Sequence, residues 1–88
     1  GLYFLMPTVR PGLKGWRVVI YTNDHRPPHV HMVGPTVHAR FELLCDLGSV
    51  RLMSTIGLRI SELRRVEAYL LRHLEQLCND WNQIHGLP

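Results

Sequence analysis

Lysine is almost absent from this sequence: Lys14 is the only one, so the other nine of the ten basic side chains are arginines. A diffuse lysine-rich surface is thereby excluded. Any grip on an anion falls to arginine and histidine, and arginine favours directed, bidentate contacts. Charge of either sign is sparse, at 19% of residues, and ten basic against seven acidic groups leave a net +3 with neutral histidines. That mild bias favours an anionic partner without requiring one. It is also pH-dependent, because the six histidines gain charge near a pKa of about 6.5.

Long apolar runs are missing too. The leading G-L-Y-F-L is only five residues, whereas a membrane span takes about twenty and a signal-peptide core at least about seven. No membrane partner is expected. Cysteine is scarce: Cys45 and Cys78 make no C-x-x-C pair and follow no secretory signal, so they are expected to be reduced thiols in a cytoplasmic protein. Repeats, low-complexity tracts and linkers are lacking, and 88 residues at 45% hydrophobic content support one core but not two. Because L-Y-F looks like the end of a protease-cleavable tag and M-P-T-V at Met6 looks like a native start, residues 1–5 are expected to be a vector-derived leader. Residues 6–88 are then a single compact α+β domain.

What is present reads as strands followed by a helix. The run W-R-V-V-I-Y-T from Trp16, between Gly15 and Asn23-Asp24, is a strand, preceded by a shorter extended segment at Pro7–Arg10. After Pro28 the alternating H-V-H-M-V and T-V-H-A-R-F-E-L flank Gly34-Pro35. A two-residue loop there would set His31 against His38 and His29 against Arg40. S-V-R-L-M then returns with Val50 opposite Leu43, Leu52 opposite Phe41 and Glu42 opposite Arg51. The expected fold is a small antiparallel β-meander of about four strands. Val30, Met32, Val37, Ala39, Phe41, Leu43, Val50 and Leu52 form its apolar side; His29, His31, His38, Arg40, Glu42 and Arg51 form its polar side. One long C-terminal helix, capped by Ser61 and ended by Gly86, carries Leu63, Val66, Leu70, Leu74, Leu77, Trp81 and Ile84 as a stripe for the apolar side.

The chemistry concentrates in D-H-R-P-P-H-V-H, Asp24 to His31. His29 and His31 share a face, and His38 across from His31 would make three imidazoles able to hold zinc or a similar divalent metal with an open position. The same face permits metal-independent RNA cleavage. One imidazole would take the 2′-hydroxyl proton, another would protonate the leaving oxygen, and Arg26 and Arg40 would hold the phosphate. Tyr21 offers a base-stacking platform if it lies on that side. A plainer alternative is a solvent-facing sheet side with a turn at Asp24–Pro28. His73 and His85 are explained by the helix boundary and the helix dipole.

M-P-T-V, G-W-R-V-V-I-Y-T-N-D-H-R-P-P-H-V-H, A-R-F-E-L and the closing L-x-x-W-x-x-I-H-G resemble the small bacterial proteins of domain-of-unknown-function family 4160, over residues 6–86. Family members are often encoded beside a second small protein, in an arrangement like a type II toxin-antitoxin pair. The resemblance implies a cytoplasmic toxin-like component with a small antitoxin-like protein as partner, and it carries no established catalytic residues. Asp24, His25, Pro27, Pro28, His29 and His31 match the signature, whereas the pattern is looser at His38. The expectation is therefore a toxin-like protein acting as a metal-independent ribonuclease. His29 and His31 would be the acid-base pair, His25 would assist, Arg26 and Arg40 would bind phosphate, and no cofactor would be needed. The rival is a non-catalytic protein-binding or metal-binding module on the same face, with His29, His31 and His38 as zinc ligands. RNA is a candidate partner in the first case, and a homodimer is compatible with either.

Overall fold

In the computed structural model of the chain, residues 8–86 are described, so the expected leader at residues 1–5 lies outside them. The sequence forms five strands, β1 (Thr8–Pro11), β2 (Arg17–Ile20), β3 (His29–Val33), β4 (His38–Leu44) and β5 (Ser49–Ile56), with apolar–polar alternation most regular in β4. They form one antiparallel sheet in the order β1-β2-β3-β4-β5. The strand beyond the expected four is β1, which takes up most of the extended segment expected at Pro7–Arg10 and pairs along its whole length with β2.

The β4–β5 register agrees with the sequence expectation at Phe41–Leu52, Glu42–Arg51 and Leu43–Val50. The β3–β4 register differs by two residues. Gly34 N–H donates to the Val37 carbonyl at 3.0 Å, so the connection is a four-residue turn in place of a two-residue loop. His31 therefore faces Arg40, His29 faces Glu42 and Val33 faces His38. Because side chains alternate with period two, an even shift preserves the faces while changing the neighbours. Val37 consequently leaves the sheet for the turn, and Leu52, expected in the core, is 39% exposed near the outer edge. An irregularity after Arg40 puts Arg40 opposite Ser54 and Phe41 opposite Leu52, which leaves Met53 as the extra residue of a β-bulge.

The expected single helix is two, α1 (Ile60–Arg72) and α2 (Leu74–His85), separated at His73 with φ −108° and ψ 14°. The apolar stripe hides this break, since Val66, Leu70, Leu74, Leu77 and Trp81 are buried on both sides of it, against Val18, Ile20, Val30, Met32, Ala39, Phe41 and Leu43 of the sheet. Arg59, not Ser61, caps α1. Its N–H donates to Glu62 Oε1 at 3.0 Å, while Lys14 reaches Glu62 Oε2 at 2.9 Å. On α2 the buried Asp80 accepts a two-pronged contact from Arg10 and a 3.0 Å bond from Gln76, which ties β1 to the helix.

The two cysteines correct the sequence expectation. They are not separate thiols: Cys45 and Cys78 form a disulfide that links a one-turn 3-10 helix, Cys45–Leu47, to α2. Nothing local in the sequence marks the pairing, because the partners are 33 positions apart and meet only after the sheet and helix have packed.

Gly57 closes β5 at φ +80°, and a Cβ there would collide with the Thr36 carbonyl oxygen of the β3–β4 turn. Gly57→Ala is expected to lower stability by at least about 1–2 kcal/mol, the cost of a left-handed L-residue before the clash is counted. Chemical denaturation checks this, and an unchanged midpoint would contradict it.

Candidate metal centre

The site is assembled from a turn and a strand. In the turn after β2, Asp24 N–H donates to the Tyr21 carbonyl at 3.1 Å and Asp24 Oδ2 accepts the Tyr21 N–H at 2.9 Å. This reciprocal closure aims the carboxylate at β3. The Arg26–Pro27 peptide is cis, and Pro28 leads into the strand, its carbonyl accepting from Leu43 N–H at 2.8 Å. Strand alternation then sets His29 and His31 side by side, with ring centroids 5.2 Å apart.

Asp24, His29 and His31 each contribute a ligand-type atom to a group lying within 4.8 Å of one another. His31 Nε2 is 3.3 Å from either Asp24 oxygen, and His29 Nε2 is 3.5 Å from Oδ1. Ligands held at about 2.0–2.1 Å around a tetrahedral zinc stand about 3.3–3.4 Å apart, which these two separations nearly match.

The hydrogen-bond roles reinforce this. His29 Nδ1 lies 2.8 Å from the Pro27 carbonyl, which can only accept, so Nδ1 carries the hydrogen. In the neutral ring Nε2 then turns its lone pair toward a carboxylate oxygen, in surroundings where His29 is 1% exposed. Two acceptors facing each other at this distance, one of them on a buried ring, call for a cation between them, either a proton or a metal. Every member of the trio has an outer partner: Pro27 for His29, the Tyr21 N–H for Asp24, and His38, whose Nε2 is 3.1 Å from His31 Nδ1. Such second-shell bonds orient metal ligands and fix their tautomers.

The remaining sequence candidates are distributed unevenly. His38 touches His31 from the side away from Asp24, so it supports the trio and does not complete it. This follows from the two-residue register shift, which makes His38 diagonal to His31. Arg40 lies directly across from His31, and its Nε is shielded from solvent without a hydrogen-bond partner. Arg26 points elsewhere, donating from Nη2 to the Gly86 carbonyl at 3.1 Å. His25 is exposed on the turn and has no hydrogen bond or ion pair among the described residues. Tyr21 does fall on this side, its ring edge-on to His31 at 5.0 Å. Behind the site, Trp81 of α2 lies against His29 with centroids 5.3 Å apart. The residue that sequence reasoning left out of the trio is Asp24, read there as a turn former. Its signal was present as the only carboxylate near the histidines.

Burial is the main cause of a lowered His31 pKa; Asp24 opposes it through charge and a hydrogen bond, while His29 and His38 add to it. A neutral His31 is a competent metal ligand at neutral pH. In the metal-free protein this lowered pKa links folding to pH. The unfolded chain takes this proton near pH 6.5 and the folded chain only at lower pH, so the unfolded state binds more protons in between. Stability should fall as pH drops through that window and level off below the folded pKa. Denaturation in chelator at a series of pH values checks this: His31→Gln should give a shallower fall than the wild type, and an equal slope would contradict it.

Among known proteins, the family described as "Domain of unknown function (DUF4160)" matches residues 15–82, a span that includes the turn, the trio, the bulge and most of both helices. No curated protein and no solved structure matches the chain. With most of its length covered by that match, the chain belongs to the DUF4160 family.

Proposed function

We propose that this protein binds one divalent transition-metal ion, zinc or a close analogue, through Asp24, His29 and His31, leaving one coordination position for water or a ligand. The observation carrying this reading is the pair of lone-pair-bearing atoms, Nε2 of the buried His29 and Oδ1 of the half-buried Asp24, that face each other at 3.5 Å. Nitrogen and carboxylate donors suit zinc, and three protein ligands plus an open place is the arrangement of catalytic zinc sites. Metal analysis of tag-free protein, followed by zinc titration with thermal unfolding as readout, tests it. A ligand present at 100 times its Kd stabilises by about 2.7 kcal/mol, and a zinc-induced rise in Tm that disappears in Asp24→Asn is expected. No rise in the wild type removes the reading.

A metal-independent acid-base reading has its own support in the His31–His38 contact and in Arg40 across the strand pair. It differs in one outcome: RNA cleavage that survives chelator and zinc removal would favour it. In either case the family resemblance suggests a toxin-like member of a protein pair, with a small antitoxin-like protein as partner and RNA as a candidate substrate. Expression in a bacterial host checks this, since a toxin should slow growth or damage RNA and His29→Ala, His31→Ala should not. A cytoplasmic location goes with the toxin-like reading. Disulfides are rare in that compartment, so the Cys45–Cys78 bond argues against it, and thiol trapping in freshly lysed cells decides.

A further inference from the structure

Three buried side-chain polar atoms lack a hydrogen-bond partner among the described residues: Arg40 Nε, Trp81 Nε1 and His85 Nε2. The latter two belong to rings stacked on one another along α2, 3.9 Å between centroids. Arg40 is different, because a guanidinium is always charged and has only donors to offer. A shielded donor of this kind costs free energy unless something accepts from it.

No carboxylate fills that role among the described residues. Glu42, the acid nearest along the strand, is held by Arg51 at 2.7 and 2.9 Å, and Asp24 belongs to the trio. The bulge following Arg40 interrupts regular pairing where this side chain leaves the strand, a device that redirects side chains beside binding sites. Directly across β3 stands His31, and Cβ atoms of facing residues in an antiparallel pair are about 4.5–5.5 Å apart. On the other flank the exposed Ser54 pairs with Arg40 in the β4–β5 register. A guanidinium whose Nε is shielded and unpartnered is therefore carried by the residue directly across from a member of the proposed metal trio.

We infer that this face binds a phosphate oxyanion, one oxygen on the metal and another on the Arg40 guanidinium. The inference rests on the metal reading and adds the ligand class to it. Phosphate fits because its oxygens accept from an arginine fork while another reaches the metal. Tyr21, 37% exposed and edge-on to His31, supplies an aromatic wall for whatever group the phosphate carries.

Cobalt(II) in place of zinc gives a visible absorption that reports on its coordination sphere. With cobalt saturating, inorganic phosphate is expected to change the wild-type spectrum saturably. Arg40→Gln is expected to raise the phosphate Kd about 10- to 100-fold, the range for losing hydrogen bonds to a charged group. If cobalt binds but phosphate leaves the spectrum unchanged, or binds Arg40→Gln equally well, the inference is overturned. If cobalt does not bind, the metal reading is what fails. Phosphate binding by the metal-free protein, followed by phosphorus NMR, then judges the anion site alone: Arg40-dependent binding upholds it and no binding ends it.

Discussion

Replacing Cys45 and Cys78 together by serine should lower stability by about 3–4 kcal/mol, the loop-entropy value for a bridge spanning 33 positions. For a domain of this size that corresponds to a fall in Tm of about 12–30 °C. The physical reason lies in the bond's position. It clamps the 3-10 turn after β4 to α2, and α2 carries Trp81, which forms the wall behind His29. Loosening α2 should therefore weaken metal binding as well as the fold. The wild type treated with reductant should match the double variant. Equal Tm values for oxidised, reduced and substituted protein would show that the bond contributes nothing.

The second large effect concerns the trio. Asp24→Asn keeps an oxygen able to accept the Tyr21 N–H, so the turn can close, but it removes the anionic ligand. Losing a second-shell partner of a metal site typically costs about 10- to 100-fold in affinity, so losing a direct ligand should cost more than about 100-fold. His31→Ala should do the same, whereas His38→Ala, which removes only the outer contact to His31, should fall in the 10- to 100-fold range. The graded order is the informative part, and isothermal titration with zinc reads it. If His38→Ala abolished binding while Asp24→Asn left it intact, the ligand set would be the three histidines and not the trio.

Much of the fold could be read from side-chain period. Alternation separated Val30, Met32, Ala39, Phe41 and Leu43 from His29, His31 and Arg40, and all five of those apolar residues are buried as a result. The β3–β4 register was less legible, because Gly34-Pro35 marks a turn without fixing its length, and a two-residue difference leaves the face pattern intact. The break at His73 was invisible for a similar reason, since the leucines continue at the same spacing on either side. At the site, the proximity of His29 and His31 followed from strand geometry alone. That of Asp24 depended on a turn closed by its own side chain, and that of His38 on the loop length. The disulfide and the unpartnered Arg40 Nε are products of tertiary packing, and no local pattern announces either.

X-ray absorption at the zinc edge of tag-free, zinc-loaded protein tests the metal centre most directly. A single tightly held ion is expected, with a first shell of two imidazole nitrogens and carboxylate or water oxygens at about 2.0–2.2 Å. Asp24→Asn and His31→Ala should each retain less than one ion per chain. A first shell containing sulfur, a shell of three imidazoles unaffected by Asp24→Asn, or an ion removed by simple buffer exchange would contradict it.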